Sequence, residues 1–155
     1  MNEVRRAQSR DIPAIMELLV QVNMVHHLGR PDLFKGPTTK YTESELEALL
    51  GDPDTPVFVC TEDDAVLGHA FCSLTSFGGR LSVDYKSLYV DDICVDEKAR
   101  GKHVGKALYD YVLAFARENG CYNVTLNVWA CNPGAQKFYE AMGMQVQKLG
   151  METIL

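Results

Sequence analysis

The stretch Arg100-Gly101-Lys102-His103-Val104-Gly105 places two glycines among basic residues just before an amphipathic run. A helix N-terminus carries N–H groups without intrahelical partners and a partial positive charge. A strand, a glycine-containing loop and a helix start, in that order, make an anion site. Gly101 can take a backbone conformation closed to most residues, and Gly105 has no Cβ to keep a phosphate off the backbone. Arg100, Lys102 and Lys106 add positive charge. The spacing is neither G-x-x-x-x-G-K-[ST] nor G-x-G-x-x-G, so the two best-known phosphate loops are excluded. An ordinary helix cap with solvated charges uses the same residue types, so the loop by itself does not name a ligand.

A second candidate is Leu88-Tyr89-Val90-Asp91-Asp92-Ile93-Cys94-Val95, an apolar strand interrupted by two carboxylates. Successive strand residues face opposite ways. Asp91 and Asp92 are therefore expected on different faces, with one turned into a cleft. His26-His27 raises the question of a metal, but adjacent histidines lack the third spaced ligand a site needs, so no metal is expected. The five cysteines, at 60, 72, 94, 121 and 131, show no C-x-x-C pair. Cys60, Cys72 and Cys94 lie in apolar runs and read as reduced and buried.

These groups need elements to position them. Val4–Ala7 reads as a strand, and a helix runs from Ile12 to about Val25. His26 to Pro37 breaks the period and reads as a long functional loop. Thr42-Glu43-Ser44-Glu45 is a capping box opening a short helix. Strands follow at Pro56–Thr61, Ala65–Phe77 and Lys86–Val95, with a bulge expected at Gly68. Val104, Leu108, Val112 and Phe115 form a helical stripe closed by Gly120. A strand at Asn123–Trp129, a helix at Gly134–Met142 and strands at Met144–Lys148 and Met151–Leu155 complete the order. The result is a mixed α/β sheet covered by helices.

Composition sets the outer limits. A chain of 155 residues, 46% hydrophobic and 23% charged, fits one globular domain over 1–155. Its net charge of −6 argues against nucleic acid as a partner and suits a cationic substrate. No apolar run reaches membrane-spanning length, and no signal peptide is visible, so a cytoplasmic protein is expected.

Val95 to Leu108 resembles motif A of the GNAT superfamily of N-acetyltransferases, Q/R-x-x-G-x-G/A. Arg100 and Gly105 match it, and His103 stands at the middle glycine. Asn132 to Met144 is similar to the family's N-x-x-A-x-x-F-Y-E-x-x-G-F segment. The resemblance implies a GNAT-like fold: a central, mostly antiparallel sheet of six to seven strands, splayed at one end and flanked by four helices. It implies acetyl-coenzyme A as donor, its pyrophosphate held by the Gly101–Lys106 loop through Lys102, His103, Val104 and Gly105. It also implies a pantetheine arm alongside Ile93, Cys94 and Val95, near Asn132. His103 is expected to point outward with ordinary φ.

By the same resemblance Tyr139 is the acid that protonates the departing thiolate. The Leu88–Asp92 run resembles that of the diamine acetyltransferases, which makes Asp91 the base, acting through a water. His26, His27, Arg30, Asp32, Phe34 and Asp92 fall on the acceptor side. The implied reaction is direct acetyl transfer to a small cationic amine in a ternary complex. Acetylation of protein N-termini or lysines, and a non-catalytic acyl-coenzyme A-binding module, are the alternatives. A homodimer paired through the terminal strands is expected.

Overall fold

The structure, a computed structural model, describes residues 2–155. Strand β1 (Glu3–Arg6) leads through a short 3-10 turn into α1 (Ile12–Gly29), and α2 (Glu43–Gly51) follows. A meander of β2 (Val57–Glu62), β3 (Ala65–Phe77) and β4 (Tyr85–Val95) precedes α3 (Val104–Glu118), β5 (Asn123–Leu126) and α4 (Pro133–Ala141). The sheet order is β1-β2-β3-β4-β5, antiparallel except for the parallel β4–β5 pair.

The architecture is the expected one, with differences at the ends of elements. The sheet has five strands, not six to seven. Residues 145–155 carry strand-forming side chains, but a strand exists only where a second one completes its ladder, and this segment runs exposed without one. For the same reason β5 stops at Leu126, short of Trp129. Helix α1 continues to Gly29, so His26 and His27 sit in its last turn and not in a loop. Pro31 then disfavours helical backbone at Arg30, which leaves the helix at φ −139° and ψ 71°. The Thr42–Glu45 capping box forms as expected.

Strand alternation divides the core into two layers. Phe58, Cys60, Ala70, Cys72, Leu88 and Val90 pack against the Val104, Leu108 and Val112 stripe of α3. Val57, Val59 and Phe71, on the other face, pack against Ile12, Ile15 and Leu19 of α1 and Leu46 of α2. Each fully buried aliphatic side chain stabilises the fold by about 1.5–3 kcal/mol.

One break in the alternation matters for chemistry. Phe71 pairs with Asp92 and Cys72 with Val90, leaving Asp91 as the extra residue of a β-bulge. Val90 belongs to the α3 layer. Asp91 and Asp92, successive residues across the bulge, both come to the α1/α2 face. This corrects the expectation that they point opposite ways.

Candidate active site

The first half of the site is built from backbone. Pairing between β4 and β5 ends at Val90 and Leu126. Beyond that point, among the described residues, β4 is bonded only to β3, through Asp92, Ile93, Cys94 and Val95. Ile93 and Val95 pack into the α3 layer, while Cys94 faces α1, its Sγ donating to the Leu18 carbonyl at 3.3 Å. The other edge of Ile93–Val95 is an open strand edge, able to accept an extended ligand.

That edge leads to the start of α3. No side chain caps this helix. Among the described residues, the backbone N–H groups of Val104, Gly105 and Lys106 have no protein partner. Gly101 lies at φ +86° and His103 at φ +59°, both left-handed. The turn demands that conformation where the motif's glycine would stand, and histidine is one of the few side-chain-bearing residues that enter it with some regularity. His103 does not take the ordinary φ expected of it, although its side chain is exposed. Lys102 lies 3.6 Å from Glu62 and Lys106 2.6 Å from Asp110, and Arg100 is exposed. At Gly105 an added Cβ would lie 3.0 Å from Cζ of Phe138. The missing side chain therefore lets the Phe138 ring of α4 lie against α3.

Helix α4 brings Tyr139 to this opening. Asn132 caps it, its Oδ1 accepting from the Ala135 N–H at 3.3 Å. The Tyr139 ring lies 6.4 Å from that of Tyr109. Burial pushes the phenol well above its ordinary value, and the Asp92 charge adds to the rise. The Tyr139 phenol therefore keeps its proton more firmly than a free tyrosine does.

The second half is built from side chains. Asp91 accepts from Lys40 Nζ at 2.7 and 2.8 Å and from the Tyr41 hydroxyl at 3.0 Å. Burial opposes the charge on Lys40, but the Asp91 carboxylate outweighs it and raises the ammonium pKa. Tyr41 stacks on Phe71 at 5.5 Å. A cleft of about 180 Å³ opens here, lined by Tyr41, Thr55, Phe71, Ser73, Tyr89 and Asp91. Asn127, just past β5, donates to the Tyr89 hydroxyl at 3.2 Å. Asp92 accepts from Nε2 of His69 at 2.7 Å.

The other acceptor-side residues fall into two groups. His26 and Phe34 are in ring contact at 5.0 Å, and His27 Nδ1 donates to the Phe34 carbonyl at 2.8 Å. Trp129 meets Phe34 edge-on at 5.3 Å. Arg30 and Asp32 satisfy one another through two hydrogen bonds, with Glu152 as a further partner of Arg30. The cysteines are free, with Cys60, Cys72 and Cys94 buried. Burial pushes the thiols of Cys72 and Cys94 up to about 12.

The Acetyltransferase (GNAT) family profile matches residues 22–144 of this sequence. The chain belongs to that family. The curated relatives it matches are named as N-acetyltransferases of thialysine and of glucosamine 6-phosphate. It is 28% identical over 138 residues to the thialysine N-epsilon-acetyltransferase of Bos taurus, covering 88% of this chain and 74% of that one. It is 32% identical over 66 residues to the glucosamine 6-phosphate N-acetyltransferase of Arabidopsis thaliana, covering 43% of this chain and 42% of the relative. The chain thus spans less than half the length of that curated relative. Among solved structures, a tetramutant of the BH1408 protein from Bacillus halodurans superposes with a TM-score of 0.94 at 24% identity, covering 99% of each chain. The glucosamine-6-phosphate N-acetyltransferase of Arabidopsis thaliana does so at 0.73 and 22%, covering 99% and 98%. At these identities the structures speak for the GNAT fold alone.

Sequence reasoning passed over Lys40, Tyr41, His69, Phe71, Tyr89 and Trp129. Phe71 and His69 stand two apart in β3, which places them on one face, so that pair had a visible signal. Lys40 and Tyr41 meet β4 across about 50 residues of chain, as the separations of 50 and 51 in their hydrogen bonds show, and carried none.

Proposed function

We propose that this chain transfers the acetyl group of acetyl-coenzyme A to a primary amine of a small cationic metabolite, by direct attack in a ternary complex. One observation carries the reading. The open edge of β4 leads, through a short turn and the Gly101–Lys106 loop, to an uncapped helix start, and α4 packs its Phe138-Tyr139 pair against that helix. An extended pantetheine arm suits Ile93–Val95, with Asn132 nearby at the head of α4. A pyrophosphate suits the free N–H groups of the Gly101–Lys106 loop, with Arg100 adding charge.

The acceptor side favours a cation. Its cleft presents Asp91, backed by Tyr41, Phe71 and Tyr89, and aromatic faces attract ammonium groups. Its basic residues, Lys40 and Arg30, are already paired with carboxylates. An amine of the thialysine type therefore fits better than a sugar phosphate. His26, His27 and Phe34, with Trp129, form a further wall of this side, and the Arg30–Asp32 pair holds the loop between.

The chemistry follows from the groups present. An alkyl ammonium has a pKa near 10 and must lose a proton before it attacks. The carboxylates Asp91 and Asp92 are the candidates to take it. Attack forms the N–C bond, and an N–H near Val95 on the bulged strand stabilises the oxyanion. The C–S bond breaks as Tyr139 protonates the thiolate, and the nitrogen's surplus proton returns to the tyrosinate. Direct attack needs no acyl-enzyme, and burial raises the thiols of Cys72 in β3 and Cys94 in β4 to about 12, which makes these two poor nucleophiles.

The test is thiol release from acetyl-coenzyme A across a panel of diamines, basic amino acids, amino sugar phosphates and peptides. Cationic small amines should turn over fastest. Turnover of peptides alone would move the acceptor to proteins, and coenzyme A binding without turnover would leave a binding module. A homodimer completes the reading. Val146, Leu149, Met151, Ile154 and Leu155 stand exposed along 145–155, and burying them on a second copy gives the segment its missing partner. Light scattering should return twice the chain mass, and a monomer mass would remove this part.

A further inference from the structure

His69 is a buried titratable group that the reaction as written does not use. It is fully buried in the middle of β3. Its only polar contact among the described residues is Asp92, with Nε2 to Oδ2 at 2.7 Å. Its other nitrogen, Nδ1, is buried without a partner. A proton there would be an unsatisfied buried donor, which is costly. The ring is therefore held as the tautomer with its proton on Nε2, donating to Asp92. That bond occupies one oxygen of Asp92 and fixes the plane of the carboxylate. The second oxygen has no protein partner among the described residues, and the side chain is 15% exposed.

Asp91 is arranged differently. Both of its oxygens already receive donors from Lys40, and one also from Tyr41. An ammonium reaches them by displacing another ammonium. That is what a cation-binding carboxylate does, with Lys40 standing in for a ligand's positive charge. Position separates the two as well. Asp92 lies where β4 has left β5, and its charge reaches the Tyr139 phenol.

We propose that the two carboxylates divide the work: Asp92, oriented by His69, takes the proton from the reacting ammonium, and Asp91 anchors the acceptor's positive charge. His69 is a positioning residue and touches no substrate. The step balances simply. The R–NH3+ group gives one proton to the free oxygen of Asp92, leaving R–NH2 and a neutral carboxyl, which later releases that proton to water. The inference rests on the amine-acetyltransferase reading above.

Steady-state kinetics with an amine that the wild type turns over, on Asp92→Asn, His69→Gln, the double variant and Asp91→Asn, test it. Asp92→Asn keeps an acceptor for His69 and removes only the base, and kcat should fall by about 10²-fold or more. His69→Gln should lower kcat by about tenfold with the KM for acetyl-coenzyme A unchanged, and should cost nothing further in the Asp92→Asn background. Asp91→Asn should raise the amine KM about tenfold with kcat within about threefold. A kcat loss at Asp91 with none at Asp92, or additive losses at Asp92 and His69, overturns the proposal. Should the His69 variant not fold, nitrogen NMR of the wild type still decides the orientation. Neutral His69 protonated on Nε2 is expected, and protonation on Nδ1 refutes the hydrogen bond as drawn. A wild type that acetylates no amine at all overturns the underlying reading instead, and this proposal with it.

Discussion

The two halves of the candidate site are made of different materials. The proposed donor half is one continuous stretch, from Ile93 to Lys106, whose features are backbone: an open strand edge and an uncapped helix start. The acceptor half joins side chains from β3, β4, the 30–42 segment and the residues after β5. A backbone site is fixed by conformation and accepts a foreign side chain, as His103 shows. A side-chain site is fixed by identity, and one substitution redirects it. Tyr139 stands on the border between them, so the largest effect is expected there. Tyr139→Phe should lower kcat by about 10²–10³-fold while coenzyme A affinity stays within about threefold. The pH profile sharpens this. A phenol whose pKa is raised stays protonated as pH rises past its ordinary value near 10. Wild-type kcat should therefore show no falling limb below about pH 10, and a fall near pH 8 would remove Tyr139 as the acid.

A smaller loss should appear where the halves are joined mechanically. Gly105 lets the Phe138 ring lie against α3, and Phe138 precedes Tyr139. Gly105→Val puts branched carbon into a 3.0 Å gap, and overpacking of this kind costs about 1–3 kcal/mol. The expected result is a lower melting temperature together with a roughly tenfold loss of kcat, because α4 carries the acid away with it. If coenzyme A binding fell while kcat at saturation held, Gly105 would serve the phosphate after all. In that case the donor half would depend on a close approach, and not only on the direction of its N–H groups.

The contrast also explains what could be read in advance. The α3 stripe, the Thr42 capping box, the three meander strands and the glycine loop are local patterns, each visible within a few residues. The resemblance to motif A covers the donor half because backbone sites need contiguous sequence. The Asp91 bulge was not legible, since alternation predicts opposite faces and only the register with β3 reveals the extra residue. The same holds for Lys40 and Tyr41, which reach Asp91 through tertiary packing, and for the end of β5, which depends on where a neighbouring strand stops. Pro31 and Gly29 marked the true end of α1. Histidine has a modest helix propensity but does not end a helix, so α1 carries on through His26 and His27.

The acceptor half makes its own moderate prediction. Lys40 occupies the carboxylate that an incoming cation is proposed to use, and its side chain is 56% exposed. It is a competitor tethered to the site. Lys40→Ala should lower the KM for a cationic amine by about five- to tenfold at low salt, with kcat unchanged, and the advantage should shrink as salt screens the cleft. A raised KM would mean that Lys40 helps to hold the acceptor, and that the cleft prefers a substrate with an anionic group. Acceptor competition assays between a diamine and an amino sugar phosphate would then reverse in order.

The smallest effect belongs to the residue that departs most visibly from the motif. His103 holds a left-handed backbone at φ +59° and ψ 26°, a conformation costing side-chain-bearing residues about 1–2 kcal/mol. His103→Gly removes that strain but adds freedom to the unfolded chain, a term of up to about 1 kcal/mol in the other direction. The net should be a stabilisation of no more than about 1 kcal/mol, read by denaturant unfolding at constant m-value. Coenzyme A affinity should change less than tenfold, because the turn that aims the N–H groups is already formed with histidine in place. A larger gain in affinity would show the imidazole obstructing the anion. The donor half would then depend on side-chain identity as the acceptor half does.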